Sequence, residues 1–129
     1  MLAARAGFFV LSAWLAAAPL SAGHDSISAS KLSEQLAGGG SPLVLDVRTE
    51  REYAAGHVPG ALHIPHTDLA AHLSDLAAAK HEEVVVYCEQ GPRAYMAESV
   101  LQDAGFTRVR DLEGHMANWR ASGYPVESR

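Results

Sequence analysis

Between residues 26 and 121 the chain alternates short, continuously apolar runs with stretches whose apolar residues recur at helical spacing. That is the pattern of an α/β domain. Ser26-Ile27-Ser28 is a short candidate strand, and Ser30 is placed to cap a helix through Leu36 that Gly38-Gly39-Gly40 ends. Leu43-Val44-Leu45-Asp46-Val47 is short and apolar on both faces, as a buried parallel strand is. Thr49 and Glu52 have capping-box spacing, which predicts a brief helix through Ala55, stopped by Gly56. A third strand is expected over 61–64, ended by Pro65. Thr67 is then expected to cap a helix running to about Ala79, with Leu69, Leu73 and Leu76 on one face. Val84-Val85-Val86-Tyr87 is the strongest strand signal. Residues 92–104 give the strongest helix signal, opened by Pro92 and closed by Gly105. A last strand over 109–112 and a helix over 115–121 that brings Trp119 onto the core complete the pattern.

Five strands alternating with helices predict a mainly parallel five-stranded sheet with helices on both faces. No internal repeat or linker divides it. Ligands of open sheets of this kind bind beyond the carboxyl ends of the strands. Cys88 falls at such an end, and Asp46 near another.

The first 23 residues change the picture. They carry Arg5 as a lone charge, an acid-free apolar stretch over 6–18, then Pro19 and the small residues Ser21-Ala22-Gly23. The stretch is short for a membrane span, so residues 1–23 are expected to be a signal peptide cleaved after Gly23 or Ala22, with an uncleaved anchor as the alternative. The domain is then 24–129, exported and periplasmic, with no membrane span left after cleavage. Without Arg5, nine Lys and Arg face fifteen Asp and Glu. A net charge of that sign argues against nucleic acid as a partner.

Cys88 is the only cysteine of the 129 residues, so it closes no internal disulfide even in an oxidising compartment. It stands where the strand run breaks into Cys88-Glu89-Gln90-Gly91-Pro92-Arg93 ahead of a helix. A thiol there is surrounded by backbone N–H groups near the positive end of the helix dipole, which stabilises a thiolate. Gly91 permits the turn, Pro92 suits the first helical position, and Arg93 adds positive charge if it turns inward. Burial as a small inert hydrophobe is the competing reading.

The chain resembles the single-domain rhodaneses. The resemblance rests on Leu45-Asp46-Val47-Arg48 with Glu52-Tyr53, Gly56-His57-Val58-Pro59-Gly60-Ala61, Ile64-Pro65, the cysteine loop, and Gly114 with Trp119, Gly123 and Pro125, in that order. The expected export likens it further to the periplasmic phage-shock type. The resemblance implies a five-stranded parallel sheet and a sulfurtransferase that works through a Cys88 persulfide. A donor such as thiosulfate gives its sulfane sulfur to Cys88, and cyanide or a thiol takes it away. It implies no cofactor. Glu89, Gln90, Gly91, Pro92 and Arg93 are then the substrate-binding loop, with Asp46 and Arg48 as candidate supporting residues. The alternative is a noncatalytic or sulfur-carrier module that serves a protein partner.

Loop length bears on the chemistry. Related cell-cycle phosphatases place five residues between cysteine and arginine, whereas here there are four, a ring sized for one sulfur atom and not a phosphoryl group. Glu89 either faces the pocket, where it would repel thiosulfate and raise the thiol pKa, or points to solvent at the rim. The family's Gly-Gly ahead of the last helix is Gly114-His115 here, and His115 either reaches the site as a titrating neighbour or lies at the surface or behind the site. Arg48 either binds the donor's anionic end or pairs with Glu52 or Asp46. His57 is expected to fix a turn, and Trp119 and Phe106 to be core. His63 and His66 bracket Ile64-Pro65, but no third ligand is set by spacing, so no metal site is expected.

Overall fold

A computed structural model describes residues 25–40 and 42–129. The expected leader, 1–23, lies outside the described residues. Five parallel strands, β1 (Ser26–Ile27), β2 (Leu43–Asp46), β3 (Leu62–His63), β4 (Val84–Tyr87) and β5 (Val109–Leu112), form one sheet in the order β1-β5-β4-β2-β3. β4 is central, with Leu43 opposite Val84 and Asp46 opposite Tyr87 on one side and Val84 opposite Val109 on the other.

Side chains alternate across a strand, so β4 divides the core in two. Val84 and Val86 point to one face, where they pack with Leu45, Ala97, Leu101 and Phe106 under helix α3 (Pro92–Asp103). Val85 and Tyr87 point to the other, against Ile27, Leu32, Met116 and Trp119 from β1, helix α1 (Ala29–Ala37) and helix α4 (His115–Ala121). Cys88 continues the Val84 and Val86 face and is buried with it. Trp119 and Phe106 are core, as expected.

Helix α2 (Glu50–Ala55) has its capping box formed: Thr49 Oγ1 accepts from the Glu52 backbone, and Glu52 reaches back to Thr49 N. Two boundaries differ from the sequence pattern. The cap of α1 is Ser28, not Ser30: the extended backbone leaving β1 (ψ 153°) puts its hydroxyl over Lys31 N at 3.0 Å, so the helix starts earlier. The segment expected to be capped by Thr67 is a 3-10 helix, Leu69–Ala79, preceded by Asp68 without a side-chain cap bond. Its turns close on i−3 carbonyls, as in Ala71 N to Asp68 O, and with about 2 Å of rise per residue it reaches further across the sheet than an α-helix would. Leu69 and Leu76 still reach the core. Among the described residues no helix is long and apolar enough to cross a membrane.

Candidate active site

Cys88 sits directly after β4, and its loop is held from two sides. Gly91, at φ 138°, turns the chain into α3, whose first helical residue is Pro92. From the other side the first turn of α4 donates to the loop's carbonyls, Met116 N to Cys88 O at 3.0 Å and Ala117 N to Glu89 O at 3.1 Å. Helix-terminal N–H groups that would lack intrahelical partners thus fix the nucleophile's backbone.

Gly91 N donates to Cys88 Sγ at 2.9 Å. Burial would raise the thiol's pKa, but the His115 side chain and the N–H groups of Ala94, Gly91 and Gln90 outweigh it and bring it down from 9.0 to about 7.

Cys88, Glu89, Gln90, Pro92, Arg93 and Glu52 line a cavity of about 320 Å³ at the carboxyl end of the sheet. One of comparable size, about 280 Å³, opens at the opposite end between Pro42, Leu43, Glu83 and Arg108 and contains no nucleophile. Arg93 does face the Cys88 cavity, but its guanidinium is gripped by Glu52 at 2.6 and 2.9 Å.

Glu89 follows neither simple expectation. It sits at the rim with its carboxylate shared between Arg120, at 2.9 Å, and Arg48, at 3.2 Å, and these contacts, Arg120's first, hold it below its ordinary range. A carboxylate paired twice repels an anion far less than a bare one.

Arg48 pairs with Asp46 at 2.7 Å, donates to Gly56 O at 2.7 Å, and is fully withdrawn from solvent. Its expected pairing with Asp46 is therefore present. Of the two alternatives pairing is the one present, and burial keeps the guanidinium behind the loop, where it supports Glu89. Asp46 also accepts from the Tyr87 hydroxyl at 2.6 Å. His57 fixes a turn, with its Nδ1 2.8 Å from Tyr53 O and its ring stacked on Tyr53. His63 is engaged by Arg48 O, 2.7 Å from its Nε2, and by Glu50.

His115 is buried against the loop: its Nδ1 lies 3.2 Å from Cys88 N and its Nε2 3.4 Å from Asp111 Oδ1. Burial disfavours its charge, but Asp111 and Cys88 outweigh this and raise its pKa from 6.5 to about 9. His115 Nδ1 accepts the Cys88 amide proton, so the ring steadies the backbone that carries the sulfur. Behind it lie Asp111 and Glu98, two buried acids that the sequence reading missed. The signal was there: Glu98 falls on the same apolar helix face as Ala94, Ala97 and Leu101, and Asp111 lies inside an apolar strand.

A parallel sheet flanked by helices, with a cysteine sulfur in a ring of N–H groups beyond the central strand, defines a cysteine-loop α/β domain. The profile of the Rhodanese-like domain matches residues 28–122, and the chain belongs to that family. It is 34% identical over 102 residues to a sulfurtransferase from Allochromatium vinosum, covering 79% of this chain and 94% of that protein. It is 33% identical over 110 residues to human thiosulfate:glutathione sulfurtransferase, covering 76% and 95%. A solved rhodanese-related protein from Thermoplasma volcanium superposes with a TM-score of 0.72 at 29% identity, over 82% of this chain and 100% of that one. The chain also spans about half the length of several longer curated relatives.

Proposed function

We propose that this protein is an exported sulfurtransferase that carries sulfane sulfur as a persulfide on Cys88, from thiosulfate or a similar donor to cyanide or a thiol. The observation that carries the reading is the Cys88 sulfur itself, bonded by Gly91 N at 2.9 Å within a ring of N–H groups and opening on a cavity. In the first half-reaction the thiolate attacks the outer sulfur of thiosulfate, the S–S bond of the donor breaks, and sulfite leaves with its electron pair. Charge balances without a proton: thiolate and thiosulfate dianion become persulfide anion and sulfite dianion. In the second, cyanide attacks the terminal sulfur, thiocyanate forms, and the thiolate returns. The same N–H ring receives an anion in both states. The name of the human relative supports a thiol as the second substrate, and the leader-like residues 1–23 support export.

Intact mass after thiosulfate treatment tests this. One added sulfur is expected, removed by cyanide and absent in Cys88→Ser. No gain in wild type, or an equal gain in Cys88→Ser, overturns the mechanism. Stable loading that neither cyanide nor a small thiol discharges favours a carrier for a protein partner.

A further inference from the structure

Two ion pairs frame the opening over Cys88. Arg93, at the start of α3, holds Glu52 of α2 at 2.6 and 2.9 Å, and Arg120 of α4 holds Glu89 of the cysteine loop at 2.9 and 3.2 Å. Both carboxylates line the Cys88 cavity. The third arginine of the neighbourhood, Arg48, is 1% exposed and bound to Asp46 and Glu89, so it offers no contact to a substrate. Each cation at this mouth is thus matched by an anion.

That pairing decides what kind of molecule the mouth favours. A small dianion gains a cation here only by displacing a carboxylate that already holds it, and it then meets the other carboxylate. A molecule that carries both charges has to displace neither. The four side chains are between 28% and 53% exposed, so their outer edges face water. A guanidinium has five N–H donors, and Arg93 and Arg120 each give two to their carboxylates. On the acid side, Glu52 Oε1 accepts from Arg93 and from both the amide and the hydroxyl of Thr49, whereas Glu52 Oε2 accepts only from Arg93 among the described residues. A carboxylate oxygen has two lone pairs, so Oε2 keeps one for a further donor. Glu89 is already shared between two arginines. Glu52 is therefore the place for a cation, and Arg120, the most exposed of the four, the place for an anion.

We propose that the thiol acceptor of this site is a small zwitterion, a thiol that carries an ammonium and a carboxylate as α-amino acids do, with Glu52 taking the ammonium and Arg120 the carboxylate. The inference rests on the reading of Cys88 as the sulfur carrier and narrows its second substrate. The acceptor, a thiolate once its proton has gone to solvent, attacks the terminal sulfur of the persulfide. The Cys88 Sγ–S bond breaks, its electron pair returns to Sγ, and the acceptor leaves with the sulfur. One thiolate and one persulfide anion become one persulfide anion and one thiolate, so charge balances.

Two measurements on the intact domain test this. The first compares discharge of the Cys88 persulfide by cysteine, by 3-mercaptopropionate, which lacks the ammonium, and by cysteamine, which lacks the carboxylate. Intrinsic thiol reactivity cancels when each ratio is taken in wild type and again in a variant. Glu52→Gln should lower the ratio of cysteine to 3-mercaptopropionate by about threefold, and Arg120→Gln the ratio of cysteine to cysteamine by a similar factor, the size of one rim ion pair. Glu52→Gln should at the same time favour loading from thiosulfate, and a mere loosening of the fold does not move two substrates in opposite directions. Ratios that stay as in wild type overturn the proposal. The second measurement needs no sulfur transfer. S-Methylcysteine has both charges and no thiol. It should slow alkylation of Cys88 by iodoacetamide, read at the midpoint of each protein's alkylation pH profile, more than 3-(methylthio)propionate or sulfate does at equal ionic strength, and that advantage should shrink in Glu52→Gln. Equal protection by the three overturns the proposal. Selective protection without persulfide loading would refute the sulfur-carrier reading alone, and persulfide loading with unaltered ratios would refute the zwitterionic acceptor alone.

Discussion

The Arg93 guanidinium holds both oxygens of Glu52, at 2.6 and 2.9 Å, across the mouth of the Cys88 cavity. The partners lie 41 residues apart, one opening α3 and the other in the first turn of α2. The pair has two consequences. It holds the Arg93 charge near the sulfur, and it offsets that charge with an anion any thiosulfate must compete against. Arg93 comes first among the causes that hold the Glu52 carboxyl down to about 2, so the pair persists through the whole neutral range.

Glu52→Gln should therefore free Arg93 for the donor. Glutamine suits the same position of a capping box, so α2 keeps its start. The KM for thiosulfate should fall by roughly threefold with kcat within about twofold, the expected sign for removing a competing charge outside the reacting atoms. Steady-state kinetics at fixed ionic strength check it, and a raised KM would mean that Glu52 orients Arg93 more than it competes.

A covalent carrier also dictates the form of the rate law. Sulfite must depart before the acceptor's attack, so initial rates over thiosulfate and cyanide should give parallel double-reciprocal lines. Lines that intersect to the left of the axis would require both substrates on the protein together and count against the persulfide step.

Beneath the loop, the Tyr87 hydroxyl donates to Asp46 at 2.6 Å and accepts from Val58 N at 3.0 Å, while Arg48 closes the network onto Glu89. Removing that hydroxyl in Tyr87→Phe leaves a buried N–H without its acceptor, at a cost of about 1–3 kcal/mol. Removing the cation in Arg48→Met leaves Asp46 charged and buried, at a cost of roughly 3–5 kcal/mol. Urea unfolding should rank the two in that order. The reverse order would mean that the Tyr87 hydroxyl, which also holds Val58 N, anchors the network more than Arg48 does.

The order of elements, the parallel sheet and the place of the nucleophile loop at the carboxyl end of β4 were legible because each depends on local signals: β-branched runs, the capping box, Gly91 and Pro92. Cys88 and its N–H ring followed from those signals. The partners of the loop were not. Arg48 offered two acidic neighbours in sequence, and only the fold chose Asp46 and added Glu89, which lies 41 residues away. The arginine that neutralises Glu89 from the rim, Arg120, sits on α4, and no local pattern links the two. The 3-10 winding of Leu69–Ala79 was hidden for a related reason: its leucine spacing fits either helix, and the span it must bridge decides.

The buried acid Glu98 should make stability depend on pH. Its folded pKa is raised, so its contribution is fully present below about 4.5 and is lost as pH rises towards the folded value. His115, raised to about 9, acts in the same direction, whereas Cys88, lowered to about 7, acts in the opposite direction, and the two largely offset each other. Wild-type stability should thus decline between about pH 5 and 8, and Glu98→Gln, which resembles the protonated acid, should flatten that decline. Denaturant titrations at the two pH values measure it. An equal slope in both proteins would show that Glu98 is ionised in the folded state.

Loop size bears on sulfur against phosphorus chemistry. Four residues separate Cys88 from Arg93, and Arg93 is turned to Glu52. The N–H groups of Gln90, Gly91 and Ala94 converge on one sulfur atom. A phosphoryl group in transit needs donors for three equatorial oxygens and a cation among them. Wild type should therefore show no measurable hydrolysis of an aryl phosphate. One glycine inserted after Gly91 widens the ring and breaks the Gly91 contact to Sγ, so it should lower sulfur transfer by an order of magnitude or more, as loss of an aligned donor does. It should also raise the Cys88 alkylation midpoint, because one of the N–H groups that stabilise the thiolate is withdrawn. Aryl phosphate hydrolysis by wild type at a rate comparable with its sulfur transfer, and abolished in Cys88→Ser, would mean that the ring admits a phosphoryl group and that the assignment to sulfur chemistry is wrong.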